Sequence, residues 1–401
     1  MKKSLKKLLK VLSDGAKGIS FEVRFWDGET IRYGDDKPSF ILILKTMKSA
    51  QRILTGGTLG FGEEYMSGNI EVEGDFKSLM RLGTQSKFEN LKLSLPTKLG
   101  LFWHYLKTRD TLSRTPKNIS YHYDRGNDFY RLWLDESMTY SCAYFRTETD
   151  TLEQAQQQKY EHLCRKLQLQ TGDTLVDIGC GWGGMLIYAA KNYHISGVGC
   201  TLSEPQVQLA QEKITQLGLR NRLTILKEDY RLLKGTFDKY VSIGMFEHVG
   251  KKFIRLFMEK TRSLLKFRGI GVLHFIGKEK ASPGDPWTLK YIFPGGYIPL
   301  LDEVVRAMGE VGLIPIDIED LRLHYARTLE EWSKRFEAQV EKIRNMFDES
   351  FVRMWRMFLN GSEAGFRYGN TRLYQITFTH GLNNNLPLTR EYIYENQAIV
   401  P

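Results

Sequence analysis

The chain has 401 residues, 42% hydrophobic and 26% charged, enough for two hydrophobic cores and ordinary for a soluble globular protein. Its formal charge of +10, from 57 Lys and Arg against 47 Asp and Glu, suits an anionic lipid surface or nucleic acid without separating the two. No apolar run approaches the roughly 20 residues of a spanning helix. The four cysteines, Cys142, Cys164, Cys180 and Cys200, lack C-x-x-C or zinc-like spacing, so a reduced, cytoplasmic protein without structural metal or disulfides is expected.

The N-terminal "MKKSLKKLLKVL" is too interrupted by Lys10 for a secretory leader. As a helix it puts Leu5, Leu8, Leu9 and Leu12 on one face and Lys2, Lys3, Lys6, Lys7 and Lys10 on the rest. Two readings stand: a helix docked on an anionic membrane, or one packed by its leucines on the domain beneath. "ISFEVRFWDGETIRYG" predicts a hairpin turning at Asp27-Gly28, and "SFILIL" a further strand. A helical stretch and the glycine-rich "GGTLGFGEEYMSGNIEVEG" complete an α+β unit over residues 1–83. Residues 84–117, with Pro96 and Pro116 and no clear periodicity, read as a linker.

From Leu167 onward strands and helices alternate, which predicts a doubly wound, parallel α/β sheet. The expected strands are 174–179, 195–201, 223–229, 238–244 and 269–277, with helices near 185–192, 204–217 and 251–266. A Pro/Gly-rich segment follows Gly277, then one long amphipathic helix over 329–359 with Trp332, Phe336, Val340, Ile343 and Phe347 on a stripe. The stripe is most simply core. Its position, in an insertion of about 278–370 before a last strand "LYQITFTH", also suits a substrate lid.

"LVDIGCGWGG" runs a strand through Gly179, Gly181 and Gly183 into a helix, so the backbone can approach a ligand closely. The glycines alone fit a dinucleotide equally well. Asp177, two residues before the first glycine, favours the ammonium of S-adenosylmethionine and opposes a pyrophosphate. Thr201, Ser203 and Gln206 follow the second strand in place of the usual ribose-binding carboxylate, Ser203 serving equally as a helix cap. Asp229, at the tip of the third, fits the adenine amino group. Glu247 and His248 follow the fourth strand and His274 lies in the fifth. With Tyr325 and Cys142 they make unusual company for a core, although His274 alone is more often a satisfied core histidine.

The motifs "YHYDRGNDFYRLWLDESMTYSCAYF", "LVDIGCGWGG", "GVGCTLSEPQ", "GMFEHVG", "YIFPGGYIP", "HYARTLEEW" and "SEAGFRYGN" resemble, in order, those of the cyclopropane-fatty-acid-phospholipid synthases and the related mycolic acid cyclopropane synthases. The resemblance implies a Rossmann-like methyltransferase domain over 118–401 with a helical substrate-covering insertion, and an extra N-terminal domain that touches lipid or membrane. It implies a cofactor site of Tyr140, Ser141, Gly179, Gly181, Thr201, Leu202, Gln206 and Asp229, and a bicarbonate set of Cys142, Glu247, His274, Tyr325 and the Ile276 amide. The implied reaction adds a methylene from S-adenosylmethionine to the cis double bond of a phospholipid acyl chain. A carbocation forms on the chain and loses a proton to bicarbonate as the ring closes. Tyr140, Tyr144, Phe145, Phe246 and Trp287 are candidates to face that cation. The expected partners are acyl chains at an anionic membrane surface on the inner face, not nucleic acid, with a homodimer left open. A methyl or methylene branch in place of the ring, or an N-methyltransferase with an amine substrate, are the alternatives.

Overall fold

The computed structural model describes residues 1–86, 95, 99, 126–282 and 284–394. Most of the expected linker lies outside these residues, as do Tyr121, His122, Tyr123, Asp124 and Arg125 of the first motif, while Thr84 and Gln85 close a helix, Phe76–Gln85. The chain divides into two compact units, one of residues 1–109, 282–295 and 329–370, the other of residues 110–281, 296–328 and 371–401.

The first unit holds β1 (Phe21–Arg24), β2 (Thr30–Tyr33), β3 (Phe40–Leu44) and β4 (Ile70–Gly74) in the order β2-β1-β3-β4. The expected hairpin forms, with Phe21 opposite Tyr33 and Val23 opposite Ile31. β3 runs parallel to β1, stacking Phe40 on Phe21 with ring centroids 5.3 Å apart. The N-terminal helix, Lys2–Gly15, buries Leu5, Leu9 and Leu12 in this unit, and Lys2 and Lys6 pair with Asp27 and Glu29. Burying a leucine stabilises by about 1.5–3 kcal/mol, and the helix packs these three on the domain, as the second of the two readings expects, with Lys3, Lys7 and Lys10 left exposed.

The expected insertion is shared between the units, since 282–295 and 329–370 group with the N-terminal segment. Its contacts there are specific. Trp287 lies so close over Gly62 that a Cβ would stand 2.2 Å from the indole. Arg353 donates to both carboxylate oxygens of Glu71 at 2.9 Å. An amphipathic stripe announces burial but not the surface that buries it. The single helix expected over 329–359 is three: Arg322–Ala338, Val340–Met346 and Glu349–Tyr368. Phe347 leaves helical geometry (φ −130°, ψ −112°), and the Asp348 carboxylate accepts the Phe351 N–H at 2.7 Å to start the last helix.

The second unit is built on seven strands in the order β10-β11-β9-β8-β5-β6-β7. These are β5 (Thr174–Ile178), β6 (Ser196–Thr201), β7 (Leu223–Lys227), β8 (Phe237–Ile243), β9 (Leu265–Lys278), β10 (Leu313–Asp320) and β11 (Thr371–His380). β5 to β9 run parallel, as expected, and β10 and β11 add antiparallel to that edge. Neighbouring residues of β5 feed opposite faces: Val176 and Ile178 join a core with Phe257, Met258 and Met308, while Leu175 joins one with Leu163, Leu186 and Val207. The chain order reverses at β5, between β6 and β8. In an open α/β sheet that reversal leaves a crevice beyond the strands' C-terminal ends.

Candidate active site

The crevice is real. A cleft opens there, lined by residues at and after the ends of β5, β6, β7 and β8 together with Met138 to Ser141, Lys159 and Tyr160. Of the residues expected to hold the cofactor, Tyr140, Ser141, Asp177, Gly179, Gly181, Thr201, Leu202, Gln206 and Asp229 all line it. Gly183 does not; it caps the helix Gly184–Tyr193 from a left-handed conformation (φ 78°).

Local chemistry explains the walls. The amides of Gly179 and Cys180 both donate to the Cys200 carbonyl at 3.0 Å, which pins the turn to β6. Thr201 Oγ1 donates to Gln206 Oε1 at 2.6 Å, fixing the loop after β6. Ser203 takes the N-cap position of the helix Glu204–Gln216. Asp229 is held as an anion: burial acts to raise its pKa, but hydrogen bonds from the Arg231 side chain and amide keep it below the usual carboxylate range. Its pairing with Arg231 leaves it more occupied than the sequence reading supposed.

The loop carrying Cys142 is clamped by the helix Leu152–Lys166. Gln156 donates to the Ser141 carbonyl at 3.0 Å, the Lys159 ammonium to Ser141 Oγ at 2.9 Å, and Tyr160 shares a 2.5 Å hydrogen bond with Thr139. Tyr140 packs edge-on to Trp133, 5.4 Å between centroids. Lys159, only 1% exposed, was invisible in the sequence because "LEQAQQQKYEHLCRK" reads as a polar surface helix. It faces the cleft, as does Asp177, also 1% exposed, whose Oδ1 finds no hydrogen-bond partner among the described residues. Burial raises the Asp177 pKa, with Lys159 opposing, and lowers that of Lys159, with the nearby carboxylates opposing.

The expected anion set lies beside this cleft rather than in its lining. The segment after β8 folds back on β9: the Gly244 amide donates to the His274 carbonyl at 2.8 Å, and Glu247 Oε1 accepts the Ile276 N–H at 2.6 Å. The Ile276 amide is thus committed to Glu247. β11 pairs Gln375 with His274 and Leu373 with Ile276, and the Leu321 amide, just before the helix that bears Tyr325, donates to the Leu373 carbonyl. Cys142 belongs to the same neighbourhood through Ala143, whose N–H donates to Thr328 Oγ1, one turn beyond Tyr325.

Two atoms stand out. Glu247 Oε2 and His274 Nε2 are buried without a hydrogen-bond partner among the described residues. The Gln375 amide nitrogen, 3.1 Å from His274 Nδ1, can only donate, so the neutral ring carries its proton on Nε2. Burial, then the charges of Lys159 and Lys166, keep the His274 pKa well below the usual histidine value. Burial also pushes Glu247 up to about 7, against the Ile276 amide. The Cys142 thiol is raised far above its usual range by burial, so it stays protonated.

Known proteins share this plan. The family model "Mycolic acid cyclopropane synthetase" matches residues 110–376, two thirds of the chain. The chain belongs to the mycolic acid cyclopropane synthetase family. It is accordingly an enzyme of the S-adenosylmethionine-dependent methyltransferase class, on the fold described above. A second model, a domain of unknown function, matches residues 5–93. The Escherichia coli K12 cyclopropane-fatty-acyl-phospholipid synthase is 38% identical over 85% of this chain and 88% of its own. A "Probable fatty acid methyltransferase" of Pseudomonas putida is 36% identical over 94% of this chain and 96% of its own. A solved Mycobacterium tuberculosis cyclopropane synthase superposes with a TM-score of 0.63 at 31% identity, covering 66% of this chain and 98% of that one. A mycolic acid cyclopropane synthase solved with SAH and CTAB gives 0.63 at 32% identity, covering 66% and 98%.

Within the family fold, the five aromatic candidates separate. Tyr140 alone among them lines the cleft. Tyr144 is sandwiched between the rings of His162 and His324, at 4.2 and 4.7 Å. Phe246 packs on Phe257 and Phe275, and the Arg327 guanidinium covers Phe145 at 4.2 Å. Trp287 belongs to the other compact unit.

Proposed function

We propose that this protein uses S-adenosylmethionine to add a methylene across the cis double bond of unsaturated phospholipid acyl chains, closing a cyclopropane ring with bicarbonate as the base. The observation that supports the base is the pair of unpartnered buried atoms, Glu247 Oε2 and His274 Nε2, whose chemistry fits a small oxyanion. When bound, S-adenosylmethionine supplies an electrophilic methyl and bicarbonate a proton acceptor small enough for a filled site. The protein's own part is to hold them. His274 donates through Nε2–H. Glu247, near neutrality in pKa, holds or releases a proton at Oε2. Tyr140 offers an aromatic wall to the cleft, which favours a developing cation on the acyl chain. The relation to the Escherichia coli enzyme, named for phospholipid, supports the substrate class.

Work on such a substrate places the protein at a bilayer surface, and its net charge of +10 suits the anionic inner face. No helix among the described residues is long and apolar enough to cross a membrane. The second reading, a methyl or methylene branch, is favoured by relatives named as fatty acid and tuberculostearic acid methyltransferases, the latter 33% identical over 92% of this chain and 90% of its own. Purified protein, labelled S-adenosylmethionine and mono-unsaturated phospholipid vesicles decide between them. A gain of one CH₂ that resists hydrogenation supports the ring. A branched or hydrogenatable product supports the second reading, and unlabelled acyl chains would remove both.

Cys142 serves here as a wall, so Cys142→Ala should slow turnover by about tenfold or less, as expected for lost packing and a weak donor. Steady-state rates on the same vesicles check this. Complete loss of activity in a folded Cys142→Ala protein would restore the thiol as a nucleophile.

A further inference from the structure

Strand β11 backs two members of the expected anion set. In its antiparallel register with β9, Leu373 stands opposite Ile276 and Gln375 opposite His274. Gln375 is fully buried, with its amide nitrogen 3.1 Å from His274 Nδ1 and its carbonyl oxygen without a hydrogen-bond partner among the described residues. On the far side of β11, the residue opposite Gln375 is Glu319 of β10. Its carboxylate is taken up by His162 Nε2 at 2.7 Å and by the buried Lys166 ammonium at 2.5 Å. A neutral amide thus stands, in register, between the imidazole and a buried ion pair.

The kind of residue at this place decides what His274 can offer. In a neutral imidazole, the hydrogen bond made by one ring nitrogen sets which nitrogen holds the proton. A donor at Nδ1 leaves the proton on Nε2. An acceptor there, the same amide turned end for end, draws the proton to Nδ1 and leaves a bare lone pair on Nε2, which repels an oxyanion. Burial and the charges of Lys159, Lys166 and His162, with Glu319 opposing, keep the ring neutral, so the choice between its two nitrogens falls to Gln375.

We propose that Gln375 is a positioning residue: by donating to Nδ1 it locks His274 as a neutral donor at Nε2, the ring atom that no described residue occupies. A glutamine suits this task, since a carboxylate would draw a second proton onto the ring and an aliphatic side chain would leave Nδ1 buried without a donor. The use of the Nε2 proton to hold bicarbonate rests on the function proposed above.

Nitrogen NMR of the full chain carrying isotope-labelled histidine reads the tautomer directly, because protonated and bare ring nitrogens resonate far apart. The chain has eight histidines, and the His274 signals are those absent from His274→Gln. Wild-type protein should show Nε2 protonated and Nδ1 bare, without change across neutral pH. Gln375→Leu should bring the two signals closer together as the tautomers mix, and should need about 2- to 10-fold more bicarbonate for half-maximal turnover, the range of one lost hydrogen bond. Its affinity for S-adenosylhomocysteine should stay within about twofold, because Gln375 does not line the cleft. A wild-type ring with its proton on Nδ1 would overturn the proposal. So would His274 signals unchanged in Gln375→Leu, or an equal loss of cofactor and bicarbonate affinity, the mark of a merely structural role. Should Gln375→Leu fail to fold, the wild-type spectrum still decides. A wild-type Nε2–H whose signal and turnover both ignore bicarbonate would uphold the hold of Gln375 on the ring and sink the bicarbonate reading instead.

Discussion

Glu247→Gln should reduce turnover by about 100-fold or more and yet make the protein more stable at pH 8. Glutamine keeps an oxygen for the Ile276 amide and can still donate, but it can neither accept nor release a proton at neutral pH. Stability moves the other way because the folded protein holds this carboxyl near 7, chiefly through burial, against an ordinary value of 4.5. A group whose folded pKa is raised favours the folded state fully below pH 4.5, and that contribution is lost as pH rises to about 7. Above pH 7 the native state carries a buried carboxylate that the unfolded chain would hydrate, at a cost of up to about 3 kcal/mol. Glutamine removes the cost. Urea melts at pH 8 should therefore favour Glu247→Gln, and the advantage should shrink steadily between pH 7 and pH 4.5. A difference independent of pH, or a variant less stable at pH 8, would mean that Glu247 is not held protonated by its site. Gain of stability with loss of rate is the pattern expected where a protein keeps an unfavourable group for its chemistry.

The same residues show what the sequence can and cannot reveal. Glu247 was legible because a polar residue just beyond an apolar strand of an open α/β sheet is conspicuous, and His274 because it interrupts an otherwise apolar strand. The loop from Gly179 to Gly183 was legible from its glycines, all three of which adopt the left-handed conformation that side chains disfavour. β10 was not. "LIPIDIED" has a proline at a register shift and weak alternation, as an edge strand with one neighbour can have, and its propensity alone does not announce it. Lys159 escaped because burial of a lysine depends on partners distant in sequence, Ser141, Asp135 and Asp177, that no helical periodicity encodes. The long amphipathic pattern after Thr328 was correct for Trp332, Phe336 and Ile343, which are buried, whereas Val340 and Phe347, at the breaks, are only half-buried. It was silent on the breaks, because the Asp348 cap competes with helix propagation only once Phe347 has turned the chain.

Two glycines of one loop should fail in different ways. Both Gly179 (φ 78°) and Gly181 (φ 54°) sit in the left-handed region, where any side chain costs roughly 1–2 kcal/mol. Beyond that shared strain their surroundings differ. A Cβ on Gly179 would stand 2.6 Å from the Met245 side chain, whereas one on Gly181 meets no protein atom within 4 Å. The open space at Gly181 is the cleft itself, whose wall this glycine forms. Gly179→Ala should therefore lower stability by about 2–4 kcal/mol, strain plus overpacking. Gly181→Ala should lower it by about 1–2 kcal/mol but weaken S-adenosylhomocysteine about 100-fold, because its methyl group takes volume that only a ligand would fill. Thermal melts and binding calorimetry on the two variants separate the effects. A Gly181→Ala protein with wild-type affinity would show that the cofactor does not approach the loop at this point, and would move its site along the cleft toward Thr201 and Gln206. A loss of affinity without a matching loss of fold would instead tie the open space over Gly181 to the ligand, because a clash with protein would have appeared in the melt.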